Sequence, residues 1–269
     1  MFVTLTIVLA VAILVIVAVL CLMFLSVAFS GPPTVTVSAT KESSAKKEPW
    51  QPPLDNDDTL VRWATRMAAN VTTNRLSMAR SRSTATELAQ ELYTGTSEAL
   101  EQLREEQAQC PARCHEMVGA TAPEVLAVAD SMRAKLSETE VDRIRRAAET
   151  NLVRTRTMSR REYASADVTC PLLNNGGKCA VHALRPLFCR LDGPVCGRDD
   201  SSEQQRLGSS SSLAIGIEQG LSNGLAAVGV DANRYELNSA LLVALYEPTM
   251  SARWASGEPI FAKCKQFCA

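Results

Sequence analysis

Nine cysteines and two histidines are the residues of this chain that could do chemistry. One cysteine, Cys21, lies in an apolar run. The other eight are Cys110, Cys114, Cys170, Cys179, Cys189, Cys196, Cys264 and Cys268. Both histidines join them: His115 follows Cys114, and His182 stands three residues after Cys179. Thiolate and imidazole together are the ligand set of zinc, iron or an iron–sulfur cluster. An even number of cysteines also permits a disulfide scaffold, but a chain of this size and helical texture needs no such staples. The segments CPARC (Cys110 to Cys114) and CKQFC (Cys264 to Cys268) have the close spacing of zinc-binding loops. No closely spaced second pair accompanies either. The gaps between Cys170, Cys179, Cys189 and Cys196 are wider than finger spacing. A radical-SAM triplet would need a third cysteine at position 117, which is Met117.

The segment CPLLNNGGKCAVHALRPLFCR, Cys170 to Arg190, resembles the signature of the YkgJ-like cysteine-cluster family, a zinc- or iron-chelating domain. That pattern runs Cys-Pro-aromatic-Leu, a Gly-containing turn, Cys-x-Ile-Tyr, two residues, Arg-Pro, two residues, Cys-Arg. Cys170, Pro171, Leu173, Gly177, Cys179, Val181, Arg185, Pro186, Cys189 and Arg190 fit it. The stretch from Cys110 to Ile144 resembles the family's first cluster and the helix pair behind it. Two departures stand out: Cys114-His115 replaces a Cys-Cys doublet, and His182 replaces the Tyr. The resemblance implies that four of Cys110, Cys114, Cys170, Cys179 and Cys189 ligate the metal, with Cys196 in reserve. It places His115 and His182 as supporting or substituting ligands. Cys264 and Cys268 form a second site or are packed thiols. The family includes flagellin lysine methylases, which carry an iron–sulfur cluster, so iron is expected over zinc.

Local chemistry assigns further roles. Cys170 and Cys179 flank the Asn174-Asn175-Gly176-Gly177 turn, whose base can bring two thiols together. Pro186 fixes the chain direction into Cys189. Arg185 and Arg190 can offset thiolate charge and lower thiol pKa. If CPARC is helical, Cys110 and Cys114 span one turn and face one point.

Composition bounds the remainder. The net charge is −1, so no globally basic nucleic-acid binder is encoded and no nucleic-acid partner is expected. Aromatics are 5%, so the core must rest on Leu, Val, Ala and Met. Residues 1–30 read as a transmembrane helix: Met1 to Phe29 is apolar apart from two Thr and one Ser, and long enough to span a bilayer. Lys41, Lys46 and Lys47, then five arginines from Arg62 to Arg82, favour a cytoplasmic soluble domain behind a single-pass anchor. The membrane is therefore the expected partner; no protein partner can be named.

Residues 31–58 hold five prolines and read as a tether. Residues 59–109 read as helical, with a break at Thr94-Gly95-Thr96. Residues 110–269 form the cysteine-cluster domain. Two capping boxes, Thr121 with Glu124 and Ser137 with Glu140, each open a helix. The second helix carries Arg143, Arg145, Arg146, Arg154 and Arg156 as a solvated face. Leu172-Leu173 and Ala180-Val181 are two very short strands. Ile217, Leu221, Leu225 and Val228 make a helical stripe stopped by Gly229, and Leu237, Leu241 and Leu245 another stopped at Pro248. Gly216, Gly220 and Gly224 stand at helical spacing, which points to close helix packing rather than a nucleotide loop.

The expected fold is mainly α: an N-terminal transmembrane helix and a helical domain with a short cysteine-rich hairpin as metal site. The expected function is membrane-anchored binding of iron, as an ion or an iron–sulfur cluster, or of zinc. Two alternatives are a protein lysine N-methyltransferase of the flagellin-methylase type, for which no catalytic motif is visible, and a thiol–disulfide redox protein working between CPARC and CKQFC.

Overall fold

The computed structural model describes residues 50–53, 56–103, 117–191 and 208–267. They belong to one compact unit that begins at Pro49. In chain order the elements are α1 (Asp57–Ser77), α2 (Thr84–Gln102), β1 (Gly119–Thr121), α3 (Ala122–Lys135), α4 (Glu138–Thr155), α5 (Arg160–Ser165), a 3-10 turn (His182–Leu184), α6 (Leu187–Leu191), α7 (Gly208–Ala227), β2 (Arg234–Glu236), α8 (Leu237–Tyr246) and α9 (Met250–Ala255).

The mainly helical expectation holds, but its transmembrane part is corrected. No helix among the described residues is long and apolar enough to cross a membrane. The long ones carry charge or polarity throughout: α1 holds Asp57, Asp58 and Arg75, and α7 opens on four serines. Met1 to Phe29, on which the expectation rested, lies outside the described residues.

Helices α3 and α8 are buried on nearly every face, α8 through its Leu, Ala and Val and α3 through the run Val125 to Ala129. Around them pack α2, α4 and the 3-10 turn. Helices α1 and α7 form a separate close pair. Ala64, Ala68 and Thr72 face Gly216, Gly220 and Gly224, so the two backbones meet where no side chain intervenes. A Cβ on Gly220 would lie 2.3 Å from the Thr65 carbonyl oxygen.

The helix break falls elsewhere than expected. The chain leaves α1 at Met78 and re-enters helix at Thr84, while α2 runs unbroken through Gly95. Gly95 serves packing instead: the indole of Trp50 occupies the space its Cβ would fill, at 2.2 Å. Trp50 stands in the segment read as a tether, yet it is 2% exposed and stacks edge-on against Trp63 at 5.9 Å.

Both expected helix starts form, but only the first as a reciprocal capping box, because the Glu140 carboxylate accepts from Arg143 instead. The Glu124 carboxylate accepts from the Thr121 backbone N–H at 2.8 Å, and the Ser137 hydroxyl accepts from the Glu140 N–H. The α4 arginines are a solvated face, with Arg143 on Glu140 and Arg145 on Asp142. Strands β1 and β2 pair antiparallel, Ala120 opposite Tyr235. The C-terminal segment extends that ribbon through a Tyr235–Gln266 bridge.

Candidate functional site

The Cys170–Arg190 segment folds as a hairpin followed by two turns of helix-like chain. The Asn174 side chain accepts from the N–H groups of Gly176 and Lys178, and Gly177 takes the left-handed conformation at φ 70°. These contacts close the turn and set Ala180 N–H on the Leu172 carbonyl at 2.8 Å. In this register Leu173, rather than Cys170, is the cross-strand partner of Cys179. The chain then passes through the 3-10 turn to Arg185, whose extended backbone (φ −61°, ψ 143°) is what a residue before proline requires. Pro186 delivers α6, on which Cys189 and Arg190 ride.

Glu124 ties this segment to the core. Besides capping α3, its other carboxylate oxygen accepts from Leu187 N–H at 2.8 Å, so one buried carboxylate satisfies the starts of two helices. The sequence shows its capping role; its contact with Leu187, 63 residues away, has no local signature.

Arg185 and Arg190 are 8% and 9% exposed. Arg190 donates to the carbonyls of Arg185 and Ala183, and its guanidinium lies 4.3 Å over the Tyr93 ring. Neither arginine has a carboxylate partner among the described residues, and Arg185 Nε has no hydrogen-bond partner. The groups that draw the Arg190 charge towards themselves are Tyr93, Cys189 and Cys179. Burial, then the like charge of Arg185, draws the Arg190 pKa below its usual value, against the opposing pull of Tyr93, Cys189 and Cys179.

The tyrosine cannot supply the missing negative charge. Burial, reinforced by Glu124, raises the Tyr93 pKa well above its ordinary value, and its hydroxyl has no hydrogen-bond partner. Burial also pushes the Cys179 thiol up, against the opposing pull of a backbone N–H of Val181 and the charges of Arg185 and Arg190. The expected arginine effect on thiol acidity is therefore present but outweighed by desolvation. His182 is exposed on the 3-10 turn. Loss of solvent on its packed side, then Arg185 and Arg190, hold its imidazole below the usual range, in the neutral form that ligates metals.

The structure thus brings Cys179 and Cys189 to Arg190. Cys170 acts on a different neighbour, Tyr163 of α5, whose pKa burial raises to about 12. Cys264 is half-buried near Ser239 and Glu236, and burial raises its thiol to about 11. These four thiols are free of disulfides and pack against one hydrophobic core. Among the described residues no three His, Cys, Asp or Glu side chains are gathered as a metal shell. Cys110, Cys114, His115, Cys196 and Cys268 lie outside the described residues.

The chain neighbours of several of those cysteines do converge. Met117, three residues after Cys114, and Phe267, one before Cys268, share a small buried cluster. The Phe267 ring meets Phe188, the residue before Cys189, at 6.3 Å. Arg234 reaches over both rings, at 5.0 Å and 5.9 Å. No signal in the sequence marks this aromatic cluster, because its members come from three distant segments.

No family model, no curated protein and no solved structure matches the chain, so the YkgJ-like resemblance rests on the residues that carry it.

Proposed function

We propose that this protein is a cysteine-ligated metal protein whose centre gathers beside Arg185 and Arg190, with Cys179 and Cys189 as ligands. Iron, in a cluster, is the preferred occupant and zinc the second. The observation that carries the reading is the pair of buried guanidiniums without carboxylate partners, next to two thiols. An uncompensated buried cation costs several kcal/mol, so such a pair demands negative charge nearby. Four thiolates around a divalent metal give a net dianion, which two arginines balance. Neutral thiols give no such balance, and Glu124 has both oxygens committed to other donors.

The remaining ligands in this proposal come from Cys170, Cys110, Cys114 and Cys196. The convergence of Met117, Phe188 and Phe267 supports it, since each stands close in sequence to a cysteine. The YkgJ-like resemblance of Cys170 to Arg190 points the same way. The test is a serine scan of the full-length chain purified anaerobically, with metal content as readout and circular dichroism as the folding control. Cys179→Ser and Cys189→Ser should each lose the metal while keeping helical content. Full occupancy in both variants contradicts the proposal, and loss only in Cys264→Ser moves the centre to the C-terminal thiols.

A further inference from the structure

A second feature, independent of the cysteines, borders Leu184 of the 3-10 turn. The loop before α2, the first turns of α2 and the last turn of α3 border an open cavity of about 640 Å³, with Leu184 on its wall. Its size falls in the range of small-molecule sites. Arg82 and Lys135 both line it, and neither has an ion-pair or hydrogen-bond partner among the described residues. The cavity's carboxylate, Asp130, does not compensate them. One of its oxygens holds Arg133 at 3.1 Å and the other accepts from Ser251 at 2.8 Å.

Ser131 adds a donor. It is 8% exposed, lines the cavity, and its hydroxyl makes no hydrogen bond among the described residues. A polar group buried to that degree is normally satisfied. Two unpaired cations and the Ser131 hydroxyl on one cavity are complementary to an oxyanion of charge near −2.

We propose that this cavity binds the phosphate monoester of a small organic molecule. Arg82 and Lys135 neutralise the phosphate, which carries about two negative charges at neutral pH. Ser131 donates to one of its oxygens. The cavity is larger than a bare phosphate needs, and Leu184 and Ala134 give the organic part an apolar wall. Arginine pairs with phosphate through a planar fork, so Arg82 sets the orientation while Lys135 acts as a point charge.

The experiment titrates the full-length chain calorimetrically with glycerol 3-phosphate, with inorganic phosphate and glycerol as comparisons. Glycerol 3-phosphate should bind saturably and more tightly than inorganic phosphate, glycerol should not bind, and added salt should weaken the complex. Arg82→Gln and Lys135→Gln should each weaken binding about tenfold, because a hydrogen bond to a charged group is worth that factor or more. Both side chains are exposed, so neither variant threatens the fold. Ser131→Ala should weaken binding severalfold. No saturable binding up to about 10 mM, the weak limit for a specific small ligand, overturns the proposal. Binding unchanged in the Arg82→Gln, Lys135→Gln double variant overturns it too, as does inorganic phosphate binding as tightly as the ester.

Discussion

Replacing Gly220 by alanine tests the close approach of α1 and α7. In an isolated helix this change stabilises by about 1 kcal/mol, because alanine has the higher helix propensity. Here the new Cβ would stand 2.3 Å from the Thr65 carbonyl oxygen, 2.7 Å from Ala68 Cβ and 3.0 Å from the Ala69 nitrogen. Two of those three atoms are backbone and cannot rotate away. A comfortable carbon-to-oxygen contact is about 3.3 Å or more, so the helices must part by roughly 1 Å. Overpacking of this kind costs about 1–3 kcal/mol, and the backbone contact puts this site at the upper end. Set against the propensity gain, the net loss is about 2 kcal/mol. For a unit of this length that corresponds to a fall in Tm of roughly 4–8 °C. The assay is urea denaturation followed by circular dichroism, with Asn223→Ala as control. Asn223 is on the same helix, exposed, and without a contact to lose, so the control should be neutral or slightly stabilising. A Gly220→Ala protein more stable than the parent refutes the packing argument outright.

Other expectations are as direct. Glu124→Ala strands the buried N–H groups of Thr121 and Leu187, at about 1–3 kcal/mol each, and should lower the urea midpoint and speed amide exchange at Leu187; unchanged exchange there would show that the carboxylate does not hold α6. The Cys264 thiol has a folded pKa raised to about 11 against 9.0 when unperturbed, so the folded state holds its proton more tightly. Its stabilising contribution is full below pH 9 and fades as pH rises towards 11; the fade should be absent from pH-dependent unfolding curves of Cys264→Ala, and persistence of the same slope would rule the thiol out as its source. If the proposed metal centre exists, Arg185→Met and Arg190→Met should each reduce metal retention in the full-length protein without large loss of helix, since each removes one of the two charges proposed to balance it; retention equal to the parent would sever the arginines from the site.

Features carried by neighbouring residues were legible in the sequence. The Thr121–Glu124 and Ser137–Glu140 signals opened helices because capping is decided within one turn. The Asn174–Gly177 turn and the glycine stripe of α7 were equally local. Features that depend on distant segments were not. Gly95 reads as a helix breaker until Trp50 is seen filling its missing side chain. Strands β1 and β2 have three residues each, too short for any alternation, and exist because Gly119 and Glu236 meet across the fold. At the candidate site, cysteine spacing singles out Cys179 and Cys189 as candidates but says nothing of their surroundings. That Arg190 rests on Tyr93, and that burial outweighs the arginines at Cys179, follow from packing by α2, which no nearby residue announces.

In the proposed centre, thiolates bound to a metal balance the buried charges of Arg185 and Arg190. Elemental analysis and an absorption spectrum of the anaerobically purified full-length protein test it most directly, beside the Cys179→Ser, Cys189→Ser double variant. The expected result is stoichiometric iron with a visible charge-transfer band in the parent and neither in the double variant, at equal helical content. A parent free of bound metal, or a double variant that keeps the same metal and the same band, contradicts it.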